Sequence, residues 1–178
     1  MRTDTFASFL AAATLLVGTG LHAQSAAPVN SDTVPEKMPF SIPYGAPITA
    51  ERAQSLLQAA VAEATKKGWP MNIAVVDSGA NLVAFVRMNG AQLASIAIAE
   101  HKARTAAKFR RPTKAFEDAV QKSDNRVVLS LDDVIASRGG LPLIENGKLI
   151  GAIGCSGGTS SQDEVVCTAA AALINKAQ

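Results

Sequence analysis

Rings, imidazoles and thiols are all scarce in this chain. Its 178 residues include one Trp, one Tyr, two His and two Cys. So few aromatics leave little for base stacking. The net charge of +2 argues neither for nor against phosphates, and no nucleic-acid partner is expected. His22 falls in an N-terminal leader, so the mature chain keeps His101 as its single imidazole. No CxxC pair accompanies it, so no metal-ligand spacing is present. Histidine is also missing after Ser156, although Gly154-Cys155-Ser156-Gly157-Gly158 fits the GxSxG pattern between a strand and a helix. A serine hydrolase elbow needs an acid and then a histidine later in the chain, and that order is not met. A Cys155 nucleophile would depend on the same single base, His101.

Long apolar runs are missing too. Arg2 supplies a thin positive region, residues 6–17 an apolar one, and Leu21-His22-Ala23 a cleavage end. The apolar run is too short for a membrane anchor, and the pattern reads as a signal peptide over residues 1–23. The cut falls between Ala23 and Ala27, and with no cysteine beside it a lipoprotein is not expected. The protein should therefore be periplasmic or secreted.

The whole chain is 48% apolar, enough for one domain with a real core. Residues 24–47 carry five prolines and read as a linker or extended arm. The domain occupies 48–178. Thr49 is expected to cap a helix running to Lys67, with Ala53, Leu56, Leu57, Ala60, Val61 and Ala64 on one face; Gly68 and Pro70 end it. Residues 71–76 and 82–88 read as a hairpin. A helix over 92–109 is apolar around most of its circumference, which implies burial against the sheet and against a second subunit. Pro112 stops it and a shorter helix starts at Thr113. Residues 124–138 are the least readable, with room for one short strand. Residues 141–145 and 148–155 form a second hairpin about Asn146-Gly147, a pair suited to the positive φ of a type I′ turn. Ser161 then caps the last helix, with Glu164 completing a capping box. The fold class is α+β: a single antiparallel sheet of four to five strands packed with helices.

Two clusters draw attention as sites. Amide donors and a helix dipole converge at the loop 156–160, which suits an anion. Asp163 and Glu164 oppose a bare phosphate there and favour a ligand bringing hydroxyls or a cation; an ordinary capped helix reads equally well. The second cluster is basic: Lys102, Arg104, Lys108, Arg110, Arg111 and Lys114 lie in one stretch without an acid among them. It is either a solvated face that complements the helix dipole or a landing site for carboxylates, such as haem propionates or a small organic acid. His101 reads as a surface or core residue before a ligand, and Met88 as core filling before an axial sulfur. Cys155 and Cys167 would meet an oxidising compartment. A bridge is open to them, but burial as two small apolar side chains is the favoured reading.

The strings AVVDSGANLVAFVRMNGA, HKARTAAKFRRPT and GGLPLIENGKLIGAIGCSGGTSSQDE, taken with the first helix, resemble the GlcG/HbpS-like family over residues 48–174. The resemblance implies a small α+β domain that assembles into oligomers and is exported in several members. Some members bind haem and are described as haem-degrading or haem-sensing; others are associated with glycolate metabolism, and a related domain accompanies cobalamin adenosyltransferases. Carried onto this chain, it implies a pocket around Arg87, Met88, Lys102, Thr105, Arg111, Thr113, Ser156, Gly157 and Asp163. Thr113 is matched to the haem iron, with Thr105 second and His101 less favoured. Cys155 and Cys167 stand where the pattern has Val and Ala, and His101 is not a residue it requires. The expected function is that of an exported, oligomeric haem- or tetrapyrrole-binding protein, sensing or degrading haem. The alternative is binding or turnover of a hydroxy- or oxo-acid such as glycolate or glyoxylate, with Lys102 or Arg111 on the carboxylate and Asp163 as acid or base. A third reading is an oligomer that signals to a membrane sensor.

Overall fold

A computed structural model describes residues 36, 38 and 41–175. The expected signal peptide and most of the proline-rich arm lie outside the described residues.

The first helix, α1 (Ala50–Lys67), starts where Thr49 accepts a hydrogen bond from the Arg52 amide and ends at Gly68, whose φ is 69°. Ala53, Leu56, Leu57, Ala60 and Ala64 are its buried stripe; Val61 is half-buried against the same core. The next hairpin is β1 (Asn72–Asp77) and β2 (Leu82–Arg87), closed by the Asp77 carboxylate, which accepts from the Gly79 and Asn81 amides. Then come α2 (Ala94–Phe109), α3 (Lys114–Ser123), β3 (Gly140–Glu145), β4 (Lys148–Ser156) and α4 (Ser160–Ala171). The strands form one four-stranded antiparallel sheet in the order β2-β1-β4-β3. The α+β expectation therefore holds.

Strand alternation divides the interior. One sheet face sends Ile73, Val75, Ile153 and Cys155 toward α1 and α4, where Leu56, Leu57, Val166 and Cys167 complete the larger core. The other face is built of small residues. Ala74, Val76 and Ala152 meet Ala99, Ala103, Ala106 and Ala107 of α2. Such side chains let α2 lie almost flush on the strands. Two glycines set the limit of that approach: a Cβ on Gly154 would sit 2.2 Å from the Ala99 carbonyl oxygen, and one on Gly140 2.3 Å from that of Lys102.

Three local expectations change. Within 124–138 the ordered element is a 3₁₀ helix, Arg126–Ser130, not a strand; its exposed Val127 and Leu129 have no strand alongside to pair with among the described residues. The cap of α4 is Thr159 with Gln162, not Ser161 with Glu164. The run TSSQDE contains both boxes, and Glu164 is drawn away toward Arg138 at 3.6 Å. Cys155 and Cys167 are fully buried and joined in a disulfide, with Cα atoms 5.7 Å apart. Burial alone was the favoured expectation; the bridge forms because α4 folds back across β4 and brings its buried face over the strand end.

Part of the proline-rich segment belongs to the sheet. β1 ends opposite Gly151, and below that point the chain at Tyr44 runs parallel to β4 beside Leu149. The Leu149 amide donates to Pro43, Gly45 donates to Leu149, and Ile48 donates to Ile150.

Candidate functional site

The predicted site residues fall into separate neighbourhoods. At the centre is a buried knot. Lys102, 1% exposed, donates from Nζ to Asp163 Oδ2 at 2.7 Å. Asp163 Oδ1 accepts the amides of Gly157 and Gly158 at 3.0 and 3.1 Å. The carboxylate thus closes the glycine loop onto the first turn of α4 and ties both to α2. Gly139, at φ 116°, packs against the pair; a Cβ there would stand 2.8 Å from the Asp163 Cβ and 3.1 Å from Lys102 Nζ. Lys102 and Asp163 therefore satisfy each other away from solvent.

Thr113 is also fully buried. Its hydroxyl accepts from the Gly140 amide at 3.0 Å, and its own amide donates to the Gly140 carbonyl at 3.0 Å. The pair of bonds locks the start of α3 to β3. Thr105 performs a similar task on the outer side of α2, donating to the Asp133 carbonyl and accepting from the Ile135 amide. Its burial is supplied by the segment that was least readable in sequence.

At one end of the sheet, register places Arg87, Asn72 and Ser156 side by side on the face toward α2. Asn72 donates to the Gln92 carbonyl and Ser156 to the Ser95 hydroxyl at 3.0 Å. The partner of Ser156 is thus a serine and not an imidazole, so the GxSxG loop does not hold a nucleophile–base pair. Arg87 is exposed. Met88 is half-buried against the α1–α4 core and donates its amide to Met71. His101 is half-buried on α2.

The basic run is mostly neutralised by acids, two from distant segments and two one helical turn away. Lys102 has Asp163, Arg104 has Glu100, Lys108 has Asp133 and Lys114 has Asp118. The Lys108 hydrogen bond, with smaller help from His101 and Arg104, holds the Asp133 carboxyl below its usual range. The other two cations are held over rings. Arg110 donates to the Ile42 carbonyl at 2.9 Å and lies 5.3 Å from the Tyr44 ring centre, while Arg111 lies 4.2 Å from that of Phe116. Burial lowers the Arg111 pKa, as desolvation of a cation must.

These two arginines edge an open cavity of about 450 Å³. Ile42, Leu141 and Ile144 give it an apolar floor, and Asn175 closes one side. The Asn175 amide is already engaged, accepting from Ile144 and donating to Pro142. Among the predicted site residues, Arg111 alone lines this cavity. Arg110 belongs with Arg111 to the basic run read from the sequence; Ile42, Leu141 and Ile144 are the residues that reading does not join to them, and the signal that could have marked them is Arg-Arg-Pro at a helix end opposite an apolar strand. A second cavity, about 370 Å³, lies between α1 and β2 against Leu57, Val61, Phe85 and Val86, with Gln54 and Gln58 as its polar edge. It offers no charge. Among the described residues no three His, Cys, Asp or Glu converge as a metal site.

Glu117 and Arg138 form a further buried tie not anticipated from sequence. Glu117 accepts from the Arg138 amide and Nε, both at 2.7 Å. Burial alone would raise the Glu117 pKa, but the hydrogen bonds and charge of Arg138 outweigh it and the net direction is down.

Comparison with known proteins agrees with this architecture. The profile of the family described as haem degrading protein HbpS-like matches residues 48–172. Protein GlcG of Escherichia coli K12 is 38% identical over 130 residues, covering 72% of this chain and 96% of that protein. The crystal structure of a PduOC:heme complex aligns with a TM-score of 0.65 and 30% identity, over 72% of this chain and 96% of that one. The crystal structure of a double mutant of Streptomyces reticuli HbpS aligns with a TM-score of 0.68 and 26% identity, over 79% of this chain and 99% of that one.

Proposed function

The chain belongs to the HbpS-like family, and on that premise we propose that it is an exported, oligomeric haem-binding protein. The observation that carries the reading is the Arg110–Arg111 cavity, taken with a relative solved in complex with haem. Haem is a flat apolar ring bearing two carboxylates. The residues present fit that chemistry in two respects. Arg110 and Arg111 would hold the propionates, for which charge-assisted guanidinium–carboxylate bonds are well suited. Ile42, Leu141 and Ile144 would cover the apolar edge of the macrocycle, and the cavity's size lies within the range of ligand pockets. Once bound, haem would supply redox and oxygen chemistry of its own; the chain's contribution is to bind, orient and partly shield it.

Support for export comes from the leader-like residues 1–23. Support for self-association comes from Val127, Leu129 and Leu131, which are 72%, 56% and 43% exposed along one short segment. Sensing and degradation are further parts of the proposal and rest on the family alone.

The test is a hemin titration of the exported chain, whose N-terminus should fall between residues 24 and 28. A saturable shift of the Soret band is expected. A titration with no shift and no stoichiometric end point would end the reading.

A further inference from the structure

We infer that the arm residues 41–44 form one wall of the ligand cavity, so that binding there and seating of the arm are coupled, with Tyr44 and Gly45 as the positioning residues that hold the wall. The inference rests on the haem reading above and adds to it a part of the chain that precedes the family match over residues 48–172.

Ser41 and Ile42 line the cavity together with Leu141, Pro142 and Ile144. The contacts that keep them there come from two sides. Helix α2, like any helix, leaves its last carbonyls without partners inside the helix. Tyr44 donates its phenolic hydrogen to one of these, that of Lys108, at 2.8 Å. Arg110, the C-cap of α2, donates to the Ile42 carbonyl at 2.9 Å and stands 5.3 Å from the Tyr44 ring centre. From β4, the Leu149 amide donates to Pro43 at 2.9 Å, and Leu149 accepts the Gly45 amide at 2.7 Å. Gly45 is set close to the strand; a Cβ on it would stand 2.9 Å from the Lys148 Cβ.

Tyr44 and Gly45 do not themselves line the cavity. They act on it through the placement of Ser41 and Ile42. None of residues 41–47 is buried, so the arm opens on its own scale, apart from unfolding of the core. A ligand that packs on Ile42 binds the seated state in preference to the open one. By reciprocity, the bound ligand holds the arm down.

The test is hydrogen exchange by mass spectrometry on the full chain, without ligand and with hemin, under conditions where reclosing of the arm outpaces exchange. With free hemin at about ten times its Kd, exchange at the Gly45 and Leu149 amides should slow about tenfold, as expected for a ligand that binds the seated state alone. The Gly79 and Asn81 amides, held by Asp77 in the β1–β2 turn, should not change. Tyr44→Ser/Gly45→Val should speed exchange at Leu149 and weaken hemin at least about tenfold, the scale of a lost hydrogen bond with a lost cation–π contact. Tyr44→Phe keeps the ring and should bind hemin within about threefold of the parent. Should the double variant fail to fold, exchange in the unaltered chain still decides. Saturable hemin binding that leaves the arm amides within about twofold of their free rates, or slows the turn amides equally, would overturn the inference and leave haem binding intact. So would a double variant whose Leu149 amide exchanges faster while its hemin affinity stays within about threefold. Absence of hemin binding would instead remove the haem reading, and this inference with it.

Discussion

Replacing Cys155 with Val and Cys167 with Ala in one variant removes the crosslink while keeping apolar side chains at both positions. The two cysteines are 12 residues apart, and the chain-entropy cost of closing a loop of that size in the unfolded state is about 3 kcal/mol. Both positions are fully buried, so the variant also tests packing. Val at 155 adds about one methyl-sized group and Ala at 167 removes an atom, changes that offset in part. For a domain of this size a loss of about 3 kcal/mol lowers the melting temperature by about 10 °C. The assay is thermal and urea unfolding of three samples: the oxidised parent, the parent reduced in denaturant and refolded with reductant, and the variant. The second and third should fall together, well below the first. Mild reductant added to the folded parent should do little, because neither sulfur is reachable. A variant melting within about 2 °C of the parent would refute the reasoning, as would two titratable thiols in the denatured, unreduced protein.

Two further perturbations address the buried charges. Asp163→Asn and Lys102→Met each leave a buried partner without its counter-charge, so each should cost about 3–5 kcal/mol in urea unfolding. Losses under about 1 kcal/mol would mean that the pair is hydrated in solution. Glu117 has a folded-state pKa below its unfolded value, so its contribution to stability is present above about pH 4.3 and is lost as pH falls through the lower, folded-state value. Glu117→Gln should accordingly flatten the acid limb of the stability curve, and an unchanged limb would remove Arg138 as its cause.

Local chemistry made much of the fold legible. Thr49 and Gly68 bound α1 as their side-chain and backbone preferences require, and Asn146-Gly147 turns the second hairpin with φ values of 49° and 73°. Failures arose where a local choice was settled by a distant partner. Two overlapping capping boxes in TSSQDE look equally good alone, and the start of α4 is decided by Asp163 reaching Gly157, Gly158 and Lys102. Spacing could not settle the disulfide either, because whether Cys155 and Cys167 approach depends on how α4 returns over β4. The basic run was misleading for the same reason. Read along the chain it has no acids, yet Asp133 and Asp163 come to it from distant segments; Glu100 and Asp118, one helical turn from Arg104 and Lys114, are pairs that spacing alone allows. Asp133 sits in the stretch whose structure was hardest to foresee.

A row of exposed cations would attract any acid through a field that salt screens within about 8 Å at physiological ionic strength. Four of the six cations are instead paired with acids of the same chain, and Arg110 and Arg111 are engaged as well, over Tyr44 and Phe116. The two that edge the cavity are those at the point where α2 stops. Arg110 takes a left-handed φ of 53° as the helix C-cap, and Pro112 prevents any return to the helical path. That break turns both guanidiniums off the helix and onto Tyr44 and Phe116, beside the apolar floor supplied by β3. The position of these two arginines beside an apolar floor therefore originates in the termination of a helix, and the four ion-paired cations of the run contribute architecture.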